Sequence, residues 1–255
     1  MPHPHSVVRD LLKRKGRREH RLFLIEGPSL LAEALAGGVR LEEVRATAEA
    51  RSQPAVREAE ARGIPVVEVS EKSLAAISGV ETPPGVVAVA AMNDRPPEEL
   101  LAGPGLVLLL AGVSDPGNAG TLVRAAEAFG AAGILFGSGG VDPYGPKVVR
   151  AAMGSLFRLP HAVIAAEALP AAARTAERPI VAADRSGTPL PEFDFPARPV
   201  LAIGAERGGV AGWLPRWDKA VAIPHAGPTE SLNAAVAGAI VLYAWSIRTS
   251  FRIKI

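Results

Sequence analysis

The 255-residue sequence contains no cysteine, which excludes disulfides, thiolate metal sites and cysteine nucleophiles. Neither sign of charge dominates. Twenty-eight basic residues face 26 acidic ones, for a formal net charge of +2, so bulk charge alone points to no class of partner. The N-terminal stretch has no apolar signal-peptide core, and a cytoplasmic protein is expected. The longest apolar stretch, 232–247, contains Asn233 and is too short for a good membrane span. It reads as a buried helix. No internal repeat or low-complexity tract stands out beyond a general richness in alanine. What remains is a chain that is 48% hydrophobic and 21% charged, enough to bury a core in one large domain or two modest ones.

The charge is unevenly placed. Arg9, Lys13, Arg14, Lys15, Arg17, Arg18 and Arg21 lie within one short segment opposed by Asp10 and Glu19. Such a cluster suits a phosphate backbone, and equally a solvated N-terminal helix. A second irregularity is the stretch around Pro96, Pro97, Gly103, Pro104 and Gly105. It reads as a linker, dividing the chain into residues 1–94, a connection at 95–105, and residues 106–255. The first part alternates strands (21–26, 65–69, 85–91) with helices (29–36, 54–62, 71–77) and carries no catalytic cluster. In the second, the uninterrupted apolar run Leu106–Ala111 suits a strand buried on both faces. Further strands are expected near 133–136, 161–164, 180–183, 199–203 and 220–223, with helices at 120–129, at 146–153 and between several of the strands. This alternation predicts an α/β fold with a parallel sheet and helices on both faces.

Open parallel sheets bind ligands beyond the C-terminal ends of their strands. Three loops with suggestive chemistry follow strands here. The first, 114–124, contains Asn118, a candidate helix cap, and Arg124 one turn into the helix. It lacks the G-x-G-x-x-G pattern of dinucleotide sites. The second, 201–209, places Glu206 among glycines just past a strand. The third, 223–233, sets Ser231 and Asn233 at the mouth of the apolar helix. Capping by Thr229 or Ser231 would account for some of its polarity, but capping does not explain Asn233, which points to a site.

Together the stretches DPGNAGTLVRAAEAFG, VLAIGAERGGV and IPHAGPTESLNAAVAGAI resemble the three ordered motifs of the SpoU (TrmH-like) RNA ribose methyltransferases of the SPOUT superfamily. The resemblance runs from Leu106 to the end. The stretches LFLIEGPSLLAEAL and TPPGVVAVA resemble, more loosely, the ribosomal-protein-like RNA-binding domain found N-terminal to many members. The resemblance implies an S-adenosylmethionine-dependent enzyme acting on a ribose 2′-hydroxyl of structured RNA, a deep C-terminal trefoil knot, and a homodimer with its active site near the subunit interface. Large-subunit ribosomal RNA is the preferred substrate and tRNA an alternative. By position it assigns Asn118, Arg124, Glu206, Ser231 and Asn233 to catalysis. Gly204, Ile223 and Leu232, with neighbouring Ile203 and Ala205, fall to the cofactor, and the basic segment to RNA. His225 stands where the family often has Met, and space-filling is its expected role. No metal is implied. A nicotinamide oxidoreductase fits the α/β pattern but not the missing fingerprint. A silent RNA-binding or ribosome-assembly factor would not need the five polar residues.

Overall fold

A computed structural model of the chain describes residues 2–227 and 231–249. The capping reading at Thr229 lies outside these. The chain forms two compact units, one of Met1–Asn93 with Asp142–Arg158, the other of Asp94–Val141 with Leu159–Ile255.

The first unit opens with α1 (His5–Asp10) and α2 (Arg14–His20), followed by β1 (Leu22–Glu26), α3 (Pro28–Ala36), β2 (Leu41–Ala46), α4 (Pro54–Ala61), β3 (Val66–Glu68), α5 (Glu71–Ala75) and β4 (Val86–Ala91). Its sheet has the order β1-β4-β2-β3. β4 runs antiparallel to both neighbours, and β2 and β3 are parallel. One side of the core joins Val8, Leu11, Leu74 and Ile77 to Leu24, Val87 and Val89. Ser70 caps α5 through Ser73 N–H at 3.2 Å. Strand β2 has no counterpart in the sequence reading, because Leu41–Ala46 carries Glu42, Glu43 and Arg45 and looks polar. Two residues apart on one face of a strand, Glu43 and Arg45 bury together and pair at 2.7 Å. A buried carboxylate is tolerated when paired and hydrogen-bonded in this way.

The second unit begins at Asp94 and takes in the whole stretch expected to be a linker. Residues Pro97–Ala102 form α6. Pro97 stands at the first turn, Glu98 and Glu99 complement the helix dipole, and Leu100 and Leu101 are buried. Punctuation by proline and glycine marked the helix boundaries here rather than an extended connection. Then come β5 (Val107–Ala111), α7 (Pro116–Ala128) and β6 (Gly133–Gly137). The chain returns to the first unit for α8 (Pro146–Ala151) and α9 (Ser155–Arg158). It completes the second with β7 (His161–Ile164), α10 (Leu169–Thr175), β8 (Ile180–Pro189), β9 (Val200–Gly204), β10 (Lys219–Ala222) and α11 (Ala234–Thr249).

The sheet of the second unit is six-stranded, with order β10-β8-β9-β5-β6-β7 and every pairing parallel. Alternate residues serve its two faces. Val107, Leu109, Val200 and Ala202 join Leu100, Leu101, Leu169 and Ala173 of α6 and α10. On the other face Ile203 lies against Gly238 of α11. That helix also packs on α7, where a Cβ on Gly238 would stand 2.3 Å from Leu122 Cδ2, so the glycine sets how closely the two helices approach. Among the described residues no helix is long and apolar enough to cross a membrane.

Candidate active site

Helix α7 starts four residues earlier than its apolar pattern suggests, because Pro116 occupies its first turn and Asp115 caps it. Asp115 Oδ1 accepts from Asn118 N–H at 2.7 Å. The cap expected of Asn118 is thus supplied by Asp115, whose signal in the sequence was the Asp-Pro-Gly step. Asn118 keeps its side chain for another use. Its Nδ2 donates to Glu206 Oε1 at 3.0 Å.

Glu206 is held by an unusually tight loop. A Cβ on Gly204 would fall 2.0 Å from the carbonyl carbon of Gly209, so the chain doubles back on itself immediately after β9. Ala205 bridges Gly209, and Gly208 and Gly209 take positive φ, a conformation that favours glycine.

Asn233 joins both partners. Its Nδ2 donates to Asn118 Oδ1 at 2.9 Å and to Glu206 Oε1 at 3.1 Å. Contrary to the sequence reading, Asn233 is also a cap. Its Oδ1 accepts from Ala235 and Val236 N–H at 2.9 and 3.2 Å, and the residue is exposed. One residue of each motif loop thus meets the other two in a single cluster of two amides and a carboxylate. Both Asn118 and Asn233 spend amide hydrogens on the same carboxylate oxygen.

The other expected site residues fall differently. Arg124 is exposed on α7 and has no hydrogen bond or ion pair among the described residues. Six residues after Asn118, it points about 120° away around the helix. Ser231 is exposed. Gly204, Ala205, Ile223 and Leu232 are all half-buried; Gly204 ends β9 and Ile223 directly follows β10. Ile203 offers only its backbone, since its side chain is 2% exposed and packed beneath α11. His225 does not fill space: it is exposed, and its Nδ1 lies 3.1 Å from the Ile223 carbonyl.

In the basic segment Arg9, Lys13, Lys15, Arg18 and Arg21 are exposed and Arg14 half-buried. Arg17 turns inward. It is 4% exposed, donates to the carbonyls of Leu11 and Leu12 at 2.7 and 2.9 Å, and grips Asp142 Oδ2 at 2.6 Å. Fully committed to ending α1 and fixing residue 142, it is withdrawn from the set of phosphate ligands. A count of basic residues has no means of separating it from its neighbours.

A family model described as the SpoU rRNA methylase family matches residues 105–243, and one described as an MRM3-like substrate binding domain matches residues 7–88. The 23S rRNA (guanosine(2553)-2′-O)-methyltransferase RlmP of Bacillus subtilis is 35% identical over 235 residues, covering 90% of each chain. The AdoMet-bound structure of an rRNA methyltransferase from Sinorhizobium meliloti is 31% identical, covers 96% of this chain and 94% of that one, and superposes with a TM-score of 0.82. The structure of the SpoU methyltransferase AviRb from Streptomyces viridochromogenes with AdoMet is 29% identical, with coverage of 97% and 98% and a TM-score of 0.84.

Proposed function

The chain belongs to the SpoU rRNA methylase family, and from that premise we propose that it transfers a methyl group from S-adenosylmethionine to a ribose 2′-hydroxyl of large-subunit ribosomal RNA. The observation that carries this reading is the convergence of Asn118, Glu206 and Asn233, one from each motif loop, on a single hydrogen-bonded cluster in a chain similar over 90% of its length to a 23S rRNA 2′-O-methyltransferase.

Gly204, Ala205, Ile223 and Leu232 are each half-buried and uncharged, which suits an adenosyl group: uncharged side chains for the flat ring and main-chain donors and acceptors for its polar rim. S-adenosylmethionine supplies an electrophilic methyl on a sulfonium. The protein's share of the work is to align the ribose oxygen and favour its developing negative charge. A guanidinium holds its proton too tightly to serve as a base. Arg124 therefore holds a phosphate and stabilises the oxyanion, and its exposure leaves it available to do so. Asn118 and Ser231 orient the ribose. Glu206 and Asn233 keep the loops in register.

The enzyme acts as a homodimer in the cytoplasm. Helix α11 supports a second copy as partner, because Val236, Tyr243 and Ile247 are 49%, 53% and 40% exposed at spacings that share one helical face. Its last turns thread the C-terminal knot characteristic of the family. A Tyr243→Glu protein is expected to sediment as a monomer and to lose methyl transfer; a monomeric wild-type protein would remove the dimer from the mechanism.

RNA is gripped by the exposed side chains of the basic segment. Reversing Lys13, Lys15 and Arg18 together to glutamate should weaken ribosomal RNA binding about tenfold or more and flatten its salt dependence by about one unit of slope per side chain. AdoMet affinity should stay unchanged, and a matching loss there would argue for a folding defect instead. The reaction itself is tested by incubating the protein with labelled S-adenosylmethionine and, separately, ribosomal RNA and tRNA, followed by nucleoside analysis. A labelled 2′-O-methyl nucleoside from ribosomal RNA is the expected product. Label only in tRNA would transfer the assignment to that substrate.

A further inference from the structure

On the face of the second unit carrying α10, a cavity of about 890 Å³ opens between that helix and residues 213–218, within the range of ligand pockets. Its walls include two of the three tryptophans in the chain, Trp213 and Trp217. Arg174, Arg216, Glu167 and Glu177 surround them, all exposed and without an ion pair among the described residues. None of these residues belongs to the Asn118–Glu206–Asn233 cluster.

The cavity is built rather than incidental. Trp213 lies so close over the ends of β5 and β6 that a Cβ on Gly137 would meet its ring at 2.7 Å and one on Gly112 at 3.2 Å. Its indole N–H donates to the Ser138 carbonyl at 2.8 Å. Val210 and Leu214 anchor the same loop in the core, against which both tryptophans pack. At its far end Asp218 accepts from Ile180 N–H at 2.7 Å. On the opposite wall Arg178 is buried and donates to the carbonyls of Leu101 and Gly105 at 2.6 Å each, and to that of Gly103. A pocket fixed at so many points loses little conformational freedom on binding.

Its chemistry selects among ligands. Arg178 is committed to carbonyls, and the remaining arginines are balanced by Glu167 and Glu177, so a bare phosphate gains little. Indole surface together with isolated donors and acceptors suits a flat heterocycle with a mixed polar edge.

We propose that this cavity receives an unstacked base of the RNA substrate, with Trp217 and Trp213 as its stacking surface. The proposal rests on the reading of the chain as an RNA methyltransferase. Fluorescence anisotropy of a labelled single-stranded oligouridylate of about twelve nucleotides, within the range of single-strand site sizes, tests it on the full chain. Trp217→Ala should weaken binding about fivefold to a hundredfold, the loss associated with one stacked base, whereas Trp217→Phe should stay within about threefold of wild type because a ring remains. Unchanged affinity in a Trp217→Ala protein that still binds AdoMet overturns the pocket and leaves the methyl-transfer reading intact. Should that variant fail to fold, the wild-type protein decides the matter by photocrosslinking to the same oligonucleotide carrying 4-thiouridine. Crosslinks at residues 213–217 support the pocket, and crosslinks confined elsewhere overturn it. A wild-type protein that binds no AdoMet and methylates neither ribosomal RNA nor tRNA would instead bring down the underlying reading.

Discussion

Replacing Arg124 with lysine is expected to lower methyl transfer to ribosomal RNA by about a hundredfold to a thousandfold, the range seen when one donor to a developing oxyanion is removed. Lysine keeps the charge but loses the planar fork of donors that holds a phosphate and an oxyanion together. Arg124 is exposed and makes no hydrogen bond or ion pair among the described residues, so folding and AdoMet affinity should be untouched. Single-turnover transfer from labelled S-adenosylmethionine, alongside calorimetric titration with AdoMet, separates the two. Near-normal turnover in the lysine protein would falsify the oxyanion role. The orientation of Arg124, about 120° around α7 from Asn118, adds a condition. Were the guanidinium to act on the cluster of a second protomer, loss of activity on dimer disruption and loss on Arg124 substitution would resemble one another at saturating RNA; contact through the RNA alone would leave the two losses unrelated.

Asn233 makes the second large effect separable from stability. Its carbonyl oxygen caps α11 and its amide nitrogen ties Asn118 to Glu206. Asn233→Ala removes both functions and should cost about 1 kcal/mol through the lost cap, along with most of the activity. Asn233→Asp keeps an oxygen for the cap, where a carboxylate also complements the helix dipole. It also sets a second negative charge against Glu206 Oε1, at the 3.1 Å now spanned by a hydrogen bond. The aspartate protein should therefore melt near the wild-type temperature and still lose about a hundredfold or more in methyl transfer, if the cluster orients the reacting ribose. Recovery of activity as the pH falls toward carboxylate protonation would identify charge repulsion as the cause. Full activity at neutral pH would reduce the cluster to a helix cap.

The parallel sheet was legible in the chain before any coordinates. Strands such as Val107–Ala111 and Val200–Gly204 are apolar on both faces because helices cover both, and that demand is written residue by residue. The three motif loops were legible for a related reason. Ligands of such sheets gather at strand ends, where glycine and short polar side chains interrupt apolar runs. Tertiary structure alone decided the use of individual polar groups. Asn118 was free to reach Glu206 because Asp115 took the cap, and Asn233 does two jobs with its two amide atoms. Arg17 is buried while Arg18 is not, because only Arg17 faces the Leu11 and Leu12 carbonyls and Asp142. Glu43 and Arg45 make a buried strand out of a segment that looks like surface. Apolar burial follows from composition and period, since every buried methyl contributes in much the same way wherever it packs. A hydrogen bond or ion pair is directional and depends on partners far away in sequence, so the purpose of a polar side chain is settled only when the fold brings its partner within 3 Å or so.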